Sequence, residues 1–339
     1  MVELNGKKIL VTFLMHLGDL TLTTPFIHAL RKAAPDAHIT MLVDEKLKDV
    51  VLFNPYLDEV VTIDKKGRDN SILSLWACSR HLSKLDFDVL INLHPNERCS
   101  FIDAMTSVKL RTGTTHKIFK WFWDVFTPLD RSMHAADMYL DVLQQLGVQD
   151  LSSNGLEIFP GEEHFLEAEL FWQEQNITDQ DKLIGFNIGS AVPTKRWPPE
   201  RFAEVADIFA AKGYKTVFFG GPMDEEMVAE ATGYMQTRPI IATGHFAIGG
   251  LAAAMRRCCL IITNDSGPMH VAISQKVPIV AMYGPSNPKL YGPYTKDAVI
   301  VTAQPPCQGC ADGMKHSCDD LQCMSRMTVE QVVAAAEKM

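Results

Sequence analysis

The sequence lacks the features that define membrane-spanning, secreted and nucleic-acid-binding proteins. No apolar run approaches the roughly 20 residues needed to cross a bilayer, and the opening residues, Met1-Val-Glu-Leu-Asn-Gly-Lys-Lys, do not resemble a signal peptide. Basic residues are in deficit, with 32 Lys and Arg against 41 Asp and Glu in 339 residues, for a net charge of −9. We therefore expect a cytoplasmic protein that does not bind nucleic acid.

Glycine-rich nucleotide-binding motifs are also missing. The first β–α turn carries a single glycine, Gly18, in place of the G-x-G-x-x-G pattern, which disfavours a dinucleotide-dependent oxidoreductase. A P-loop pattern is absent as well. What the chain does contain is a regular alternation of short apolar strands and helix-spaced segments in both halves. This alternation predicts an α/β fold with two wound, parallel-sheet domains, which suits a chain of this length.

Changes in composition mark the domain boundaries. The stretch 150–182 holds the turn-rich Asp150-Leu-Ser-Ser-Asn-Gly, the breaker Pro160-Gly161 and a helical segment with acidic residues in its first turn. We predict a first domain over residues 1–160, a linker helix over 161–180, a second domain over 181–327 and a terminal helix over 328–339. The terminal helix begins with a Thr-x-x-Gln capping box formed by Thr328 and Gln331.

One turn of the second domain has the residue types that bind a diphosphate. It follows the predicted strand 183–188 and reads Gly189-Ser-Ala-Val-Pro-Thr-Lys-Arg-Trp-Pro-Pro. Ser190 and Thr194 offer hydroxyl groups, Lys195 offers a positive charge, and the backbone offers amides. A purely structural loop would rarely combine these groups, so we interpret this turn as a binding site.

A second turn, Thr263-Asn-Asp-Ser-Gly-Pro-Met-His, follows a buried apolar strand. Asp265 or Ser266 is positioned to cap a helix, and Gly267 allows backbone amides to approach an anion at the positive end of that helix. A ligand-free β–turn–α connection with a good cap would show the same pattern. His270 lies one helical turn further on, where a lone histidine more often packs than binds.

Isolated carboxylates follow two other predicted strands. Asp19 comes directly after Gly18 at a strand end, where α/β sheets bind their ligands. Asp224 and Glu225 follow Gly220-Gly-Pro-Met, where they can bind ribose hydroxyls. In all three cases the alternative is structural, because carboxylates also cap helices and stabilise their first turn.

Residues 98–120 form a basic stretch beside aromatic residues. Five basic residues stand against one acid, and Trp121-Phe-Trp follows immediately; the five are Arg98, Lys109, Arg111, Lys117 and Lys120. Basic side chains next to exposed aromatic ones suit an anionic, amphiphilic partner such as a phosphorylated lipid head group. A solvated face beside a cluster of core aromatics would give the same sequence.

Eight cysteines occur, and four of them are clustered near the end of the chain. The dispersed ones, Cys78, Cys99, Cys258 and Cys259, suit buried positions in a reducing compartment. The clustered ones, Cys307, Cys310, Cys318 and Cys323, include one C-x-x-C pair, which is one half of a four-thiolate metal site. The irregular spacing of the later two favours an ordinary reduced loop, so we predict no bound metal.

Four segments together resemble the family 9 glycosyltransferases, the ADP-heptose:lipopolysaccharide heptosyltransferases. They are Leu17-Gly-Asp-Leu-Thr-Leu-Thr-Thr-Pro, Thr194-Lys-Arg-Trp-Pro, Phe219-Gly-Gly-Pro-Met-Asp-Glu and Thr263-Asn-Asp-Ser-Gly-Pro-Met-His-Val-Ala. They occur in the family's order and span nearly the whole chain. The Asn264-Asp-Ser-Gly sequence and the cysteine cluster are similar to the heptosyltransferase II branch, whereas heptosyltransferase I has Asp-Thr-Gly.

This resemblance implies the GT-B architecture, in which two Rossmann-like domains face each other across a cleft. The first domain would bind a lipid-linked core oligosaccharide acceptor, with Arg98, Lys117 and Lys120 as candidate contacts, and the second would bind ADP-heptose. The resemblance also implies an inverting transfer with Asp19 as general base and with no cofactor or catalytic metal. Peripheral contact with the cytoplasmic face of the inner membrane would accompany a lipid-linked acceptor.

The same resemblance gives the two polar turns their roles. Ser190, Thr194, Lys195 and the amides of Ser266 and Gly267 would stabilise the departing ADP. Asp265, with His270 one helical turn further on, would orient the donor sugar through its hydroxyl groups.

Two alternatives from other classes stay open. A sugar-nucleotide epimerase on the same fold would need the donor but no acceptor, so it would convert the nucleotide sugar alone. A non-catalytic protein that senses a sugar nucleotide or a metal would have the cysteine cluster as its main support, and metal analysis would identify it.

Overall fold

The computed structural model describes residues 2–303, 318 and 321–339. The chain divides into two compact units, Met1–Phe159 and Pro160–Met339. Each unit contains one parallel sheet connected by helices, as the alternating sequence pattern predicts.

The first unit contains a six-stranded parallel sheet. Its strands are β1 (Lys8–Thr12), β2 (His38–Asp44), β3 (Glu59–Ile63), β4 (Phe87–Asn92), β5 (Val108–Gly113) and β6 (Val125–Phe126). Its helices are α1 (Leu17–Thr21), α2 (Thr24–Ala33), α3 (Ile72–Ser83), α4 (Glu97–Met105) and α5 (Ala135–Gln145), with 3₁₀ helices at Glu45–Val50 and Lys117–Phe122. The strand order is β3-β2-β1-β4-β5-β6, which is the order of a Rossmann-like fold.

The direction of each crossover decides which face of this sheet a helix covers, because right-handed connections that run in opposite directions lie on opposite faces. The links β3–β4, β4–β5 and β5–β6 all run one way. Accordingly, α4 packs between α3 and the 3₁₀ helix Lys117–Phe122, and Leu75 and Ile102 from α3 and α4 pack with Leu10 and Leu90 of the sheet. The link β1–β2 runs the other way, and α2 packs with α5.

The second unit repeats this plan. Its strands are β7 (Leu183–Asn187), β8 (Lys215–Phe219), β9 (Ile240–Ile241), β10 (Cys258–Asn264), β11 (Ile279–Met282) and β12 (Ala298–Val301), in the order β12-β11-β10-β7-β8-β9. Its helices are α6 (Glu162–Glu174), α7 (Pro199–Ala211), α8 (Glu225–Tyr234), α9 (Ile248–Met255), α10 (Gly267–Ser274), α11 (Pro288–Tyr291), α12 (Gln322–Ser325) and α13 (Val329–Ala336), with 3₁₀ helices at Pro193–Lys195 and Pro222–Asp224. Among the described residues no helix is long and apolar enough to cross a membrane.

A large apolar core joins the second sheet to α7, α8 and α13. Trp197 is fully buried in this core, and its ring meets that of Phe202 edge-on. The segment predicted as a linker helix corresponds to α6, which packs against α9 within the second unit. The terminal helix α13 begins with the capping box formed by Thr328 and Gln331, and it packs against α7.

The expectation of buried cysteines is wrong at Cys259. The pairing of β10 with β7 shifts register between Cys258 and Leu260, and Cys259 is exposed at this irregularity. Cys99 and Cys258 are buried, and Cys78 is half-buried. In the C-terminal cluster, Cys318 is half-buried and Cys323 is buried, whereas Cys307 and Cys310 lie outside the described residues.

A glycine at the end of β5 gives a first prediction, on stability. Gly113 has a φ of +91°, and a Cβ there would lie 2.2 Å from the backbone oxygen of Asn92. Gly113→Ala should therefore lower the free energy of unfolding by more than the roughly 1–2 kcal/mol that a left-handed alanine costs alone. Gly6→Ala is the matched control in the same unit, because Gly6 has a φ of +67° and an added Cβ meets no described atom within 4 Å. Urea unfolding measures both losses, and equal losses would contradict the close approach of β5 to β4.

Candidate active site

In the second unit, β7 and β10 lie side by side and their connections leave in opposite directions. β7 leads to β8 on one side, and β10 leads to β11 on the other. Near their carboxyl ends Asn187 pairs with Thr263. In open α/β sheets, the carboxyl ends of strands at such a reversal form the ligand-binding crevice. The two turns that follow, 188–196 and 265–266, are the two predicted binding turns.

Asn264, fully buried at the end of β10, holds the first of these turns. Its amide nitrogen donates to the backbone oxygen of Ile188 (2.7 Å), and its amide oxygen accepts from the backbone N–H of Trp197 (3.1 Å). The indole N–H of Trp197 donates in turn to the backbone oxygen of Met327 (3.1 Å). Both ends of the turn are therefore fixed by one side chain of the neighbouring strand.

Asn187 holds the second turn. Its amide nitrogen donates to the hydroxyl groups of Thr263 (3.0 Å) and Ser266 (2.8 Å). Ser266 occupies the N-cap position of α10, but its side chain makes no capping hydrogen bond. The prediction that the side chain of Asp265 or Ser266 caps this helix is therefore wrong, because the two side chains are engaged by Lys195 and Asn187 respectively. The positive end of α10 stays open to an anion.

Lys195, Asp265 and Ser286 form the charged centre of this site. The Lys195 ammonium lies 2.7 Å from Oδ2 of Asp265, and the Ser286 hydroxyl donates to the same oxygen. The side chains of Lys195 and Asp265 are only 14% and 6% exposed. The Ser190 hydroxyl donates to the backbone oxygen of Asp265 (3.4 Å), so three of the predicted residues meet at one point. Because separating a buried pair strands a poorly solvated charge, each partner holds the other in place.

Buried residues surround this centre. Burial raises the pKa of Tyr283 well above its usual value, and the nearby Asp265 carboxylate adds to the rise, so the phenol stays neutral. Thr194 is buried within the 3₁₀ helix Pro193–Lys195. His270 is buried in α10, one turn after Ser266. The charged pair is therefore largely shielded from water, and electrostatic interactions are stronger there than in bulk water.

The other two acidic candidates of this unit occupy different places. Asp224 accepts a hydrogen bond from the Gly221 N–H (2.9 Å), and a Cβ at Gly189 would lie 2.1 Å from its Oδ1. Asp224 therefore stabilises its own turn, which is the structural alternative, and also packs against the turn that carries Ser190. Glu225 is exposed and lies beside Gly244, beyond β9.

The first unit has its own strand reversal, between β1 and β4. β1 leads to β2 on one side and β4 leads to β5 on the other, and their last residues, Thr12 and Asn92, are paired. Asp19 follows β1 in the first turn of α1 and is half-buried. The N-cap residue of α1 is His16, so Asp19 is not the capping residue. The carboxylate therefore follows the strand end at which a ligand is expected.

A buried lysine holds the turn that leads to Asp19. The Lys65 ammonium donates to the backbone oxygens of Leu14 (3.2 Å) and Met15 (2.8 Å), and it pairs with Asp44 at 3.1 Å. The side chains of Lys65 and Asp44 are both largely buried. Lys65 therefore fixes the backbone of the β1–α1 turn through these hydrogen bonds.

A buried carboxyl group joins the strand ends of the same reversal. Asp103, in α4, accepts hydrogen bonds from the Thr12 hydroxyl (2.9 Å) and the Asn92 amide (2.6 Å). Burial raises the pKa of Asp103 to about 7, and the hydrogen bonds from Thr12, Cys99 and Asn92 act in the opposite direction. Asp103 therefore ties β1, β4 and α4 together as a group that titrates near neutral pH.

Three of the five predicted basic residues are engaged within the first unit. Arg98 donates to the backbone of Lys65 and to the side chain of Asn70 (2.8 Å). Lys109 pairs with Asp88, and Arg111 donates to the backbone oxygen of Asp103 (3.1 Å). These contacts give all three residues a role in the fold.

Lys117 and Lys120 are exposed on the 3₁₀ helix Lys117–Phe122. Trp121, which directly follows Lys120, is also exposed. Trp123 is buried, and its indole N–H donates to the backbone oxygen of Thr112 (3.0 Å). The core-aromatic alternative is therefore right for Trp123 and wrong for Trp121.

Residues 75–318, most of the chain, match the model of glycosyltransferase family 9 (heptosyltransferase). The chain belongs to this family. It is therefore a glycosyltransferase, and the family that the four sequence segments predict is confirmed.

Solved structures agree with the assignment to glycosyltransferase family 9. A family 9 glycosyl transferase from Veillonella parvula DSM 2008 is 53% identical, with a TM-score of 0.95 over 99% of this chain and 98% of that chain. The ADP-heptose lps heptosyltransferase II of E. coli is 21% identical, with a TM-score of 0.81 over 98% of both chains. The predicted fold class, the GT-B class with two Rossmann-like α/β domains, is confirmed.

Named relatives of this family 9 enzyme include lipopolysaccharide heptosyltransferases of two types. Lipopolysaccharide heptosyltransferase 3 of Escherichia coli K12 is 24% identical over 340 residues, which is 95% of each sequence. Lipopolysaccharide heptosyltransferase 2 of Salmonella typhimurium LT2 is 24% identical over 309 residues, which is 87% of each sequence.

Several residues that stabilise each of the two sites of the family 9 enzyme are not among the candidate site residues predicted from the sequence. Three of them, Asn187, Asn264 and Asp44, share one signal, because each is a polar residue that ends a largely apolar strand. Such a residue lies at the ligand-binding edge of a parallel sheet, so this signal could have found them. Lys65 and Ser286 lie in loops and carry no comparable signal.

Asp103 gives a second prediction, on the pH dependence of stability. Because its pKa rises from 3.8 to about 7 on folding, its contribution to stability is full below about pH 4 and is lost as the pH rises through 7. Asp103→Asn removes this titration and keeps an acceptor oxygen. The free energy of unfolding of the wild type, relative to the variant, should therefore fall by on the order of 4 kcal/mol across this range, at about 1.36 kcal/mol per pKa unit.

Urea unfolding at several pH values measures this difference. Asp88→Asn is the control, because the hydrogen bond from Lys109 lowers the pKa of Asp88 and the carboxylate stays ionised throughout the range. A pH-independent difference between the wild type and Asp103→Asn would contradict the raised pKa.

Proposed function

We propose that this protein transfers a heptose from ADP-heptose to a sugar hydroxyl of a lipid-linked lipopolysaccharide core oligosaccharide. The observation that carries the proposal is the buried Lys195–Asp265 pair next to the open positive end of α10. A cation, hydroxyl groups and a helix N-terminus without a side-chain cap together suit a diphosphate. The proposal takes the donor sugar from the similar ADP-heptose lps heptosyltransferase II and the acceptor class from the relatives that are lipopolysaccharide heptosyltransferases.

In this proposal the second unit binds the nucleotide sugar. The Lys195 ammonium, the hydroxyl groups of Ser190 and Thr194, and the amides of Ser266 and Gly267 contact the diphosphate. The ammonium is already held by Asp265, so little reorganisation is needed when negative charge develops on the departing ADP. Donors fixed in advance in this way are worth about 3 kcal/mol of barrier each.

The sugar and the ribose are proposed to meet the acidic residues of this unit. Asp265, with His270 nearby in the sequence, orients the donor sugar through its hydroxyl groups. Asp224 and Glu225 are the candidates for the ribose. The packing of Asp224 against Gly189, next to Ser190, favours Asp224 over Glu225, which lies beside Gly244.

The first unit is proposed to bind the acceptor, with Asp19 as the general base. Asp19 takes the proton from the acceptor hydroxyl while that oxygen attacks the anomeric carbon, and the bond to ADP breaks with its electron pair leaving on the phosphate. This single displacement inverts the anomeric centre and requires neither a cofactor nor a metal. Lys117 and Lys120 supply positive charge for acceptor phosphates, whereas Arg98 serves mainly to hold the loop 65–70.

A lipid-linked acceptor also suggests where the enzyme works. We propose peripheral contact with the cytoplasmic face of the inner membrane and no nucleic-acid partner. The membership in family 9 disfavours the epimerase and the non-catalytic alternatives. An epimerase would convert ADP-heptose without an acceptor, so incubation with the donor alone separates the two activities.

Asp19→Asn gives the third prediction. Wild-type protein should move heptose from ADP-heptose to heptose-deficient core lipopolysaccharide, and the variant should lose about 10²–10⁴-fold in turnover, because the proton has no acceptor. Donor affinity should stay unchanged, since Asp19 belongs to the other unit from the proposed phosphate turns. Product formation and calorimetric binding of ADP-heptose measure the two quantities.

Glu97→Gln is the matched control for this variant, because Glu97 is a carboxylate in the first turn of α4, after the other strand of the same reversal. It should keep wild-type turnover. Wild-type turnover in Asp19→Asn would rule out Asp19 as the base, and conversion of the donor without acceptor would replace the transferase proposal by the epimerase.

Lys195 gives the fourth prediction. Lys195→Ala should weaken ADP binding by about tenfold or more, because it removes a charge-assisted contact. It should also lower turnover at saturating donor, because the charge on the leaving group grows in the transition state. Lys195→Arg should restore binding better than turnover, since a guanidinium keeps the charge but changes the geometry next to Asp265.

Binding and steady-state kinetics on the Lys195 variants check this, with Lys215→Ala as the control. Lys215 is exposed at the start of β8, at the opposite edge of the sheet, and its loss should change neither quantity. If Lys195→Ala binds ADP like the wild type, the phosphate site has been assigned to the wrong turn.

A further inference from the structure

The first unit exposes a group of large apolar side chains on α3 and on the 3₁₀ helix Lys117–Phe122. We call this group the apolar patch; it consists of Ile72, Leu73, Trp76, Ile118 and Trp121. Their exposed fractions are 71%, 77%, 51%, 59% and 83%. Scattered exposed apolar side chains are ordinary, but these five lie on two segments that both pack against α4, and such a grouping indicates a surface that contacts a partner or a membrane.

Both parts of the apolar patch are held beside the first turn of α4. On one side Arg98 fixes the loop 65–70, which leads into α3. On the other side the backbone N–H of His116 donates to the Ser100 hydroxyl (2.9 Å). The rings of Phe119 and Phe101 also meet edge-on, with their centres 6.3 Å apart. Because both segments follow the carboxyl ends of strands, the apolar patch lies at the same edge of the sheet as Asp19.

On α3 the exposed residues follow the geometry of a helix with one free face. Leu75, Ser79 and Leu82 are buried towards the sheet. Ile72, Leu73 and Trp76 occupy the other face, at spacings of one and four residues, and Ala77 and Arg80 continue that face towards solvent. These three apolar side chains therefore contribute little to the core, and the folding of the unit does not explain them.

Exposed lysines border the apolar patch. Lys66 precedes α3, and Lys117 and Lys120 alternate with Ile118 and Trp121. The Lys120 ammonium lies 4.2 Å from the centre of the Phe126 ring, which keeps it close to the surface. The carboxylate of the exposed Glu97 lies nearby, 3.6 Å from Nε2 of His116. The surface therefore combines exposed apolar side chains with positive charge.

We infer that the apolar patch docks this enzyme onto an anionic phospholipid surface. Tryptophan suits the boundary of a bilayer because it joins an apolar ring to one polar N–H. Leucine and isoleucine enter the acyl region, and the lysines approach the anionic head groups. The inference deepens the proposed function and rests on it in one respect, namely the role of Asp19. A membrane bound by the apolar patch would present a lipid-linked acceptor to that residue.

Vesicle co-sedimentation of the full chain tests the inference. The wild type should bind vesicles of phosphatidylglycerol and phosphatidylethanolamine more strongly than vesicles of phosphatidylcholine, and binding should weaken as salt rises. Leu73→Ser combined with Trp121→Ser, one change in each part of the apolar patch, should weaken binding by about tenfold or more. Lys66→Ala should cost about fivefold on the anionic vesicles only.

Leu166→Ser combined with Leu170→Ser is the matched control, because these leucines are exposed on α6 in the other unit. It should bind vesicles like the wild type. Equal binding by the Leu73/Trp121 variant and the wild type, or no binding by the wild type, overturns the inference. Sedimentation velocity supplies a further test. If the wild type is a dimer and the Leu73/Trp121 variant is a monomer, the inference is also overturned, because the apolar patch would then join two copies of this chain.

Transfer to a delipidated core oligosaccharide separates this inference from the proposed function. The Leu73/Trp121 variant should transfer heptose to that acceptor at the wild-type rate and should lose rate only with acceptor embedded in vesicles. If the wild type binds anionic vesicles but transfers no heptose, the proposed function fails and the docking surface stands. If it transfers heptose but does not bind vesicles, the reverse holds.

Discussion

The candidate site of the second unit depends on one buried amide, the side chain of Asn264. Asn264 uses both ends of its side chain to join the end of β10 to the beginning and the end of the turn 188–196. Backbone groups buried in a turn must find hydrogen-bond partners, and here a neighbouring strand supplies them. Because the turn is fixed at both ends, Ser190 and Lys195 meet Asp265 in the protein alone. A site with this geometry in place needs little rearrangement when charge develops on a ligand.

The first unit meets the same constraint with different groups. Asp103 joins the ends of β1 and β4 through Thr12 and Asn92, and burial brings its pKa to about 7. Lys65 fixes the backbone of the turn before Asp19. A buried strand end accommodates polar groups only when they are neutral or paired, because burying an isolated charge there would lower the stability of the fold. The candidate base therefore follows a turn whose backbone is fixed by Lys65, a residue from a distant loop.

Sequence patterns predict the two wound domains, their parallel sheets and the two polar turns, because these follow from local periodicity and from the residue types that succeed each strand. They fail where partners come from distant segments. The local sequence favours Ser266 as a helix cap, but its hydroxyl instead accepts a hydrogen bond from the amide of Asn187, 79 residues away. The Lys65–Asp44 pair likewise exists only once β2 and β3 are adjacent. Side-chain competition of this kind is a property of the assembled sheet.

Trp121 and Trp123 show that the same limit applies to the surface. They are two residues apart in one aromatic run, yet Trp123 is buried and donates to the backbone oxygen of Thr112, whereas Trp121 is exposed. Near the carboxyl ends of its strands the first sheet has exposed apolar and basic side chains besides the buried Lys65–Asp44 pair, whereas the predicted binding residues at the corresponding end of the second sheet, Lys195 and Asp265, are buried. A nucleotide sugar dissolved in water has to be stripped of solvent and held by fixed charges. An acceptor anchored in lipid has to be bound at the membrane surface. The difference between the two sheets therefore matches the difference between the two substrates of the proposed reaction.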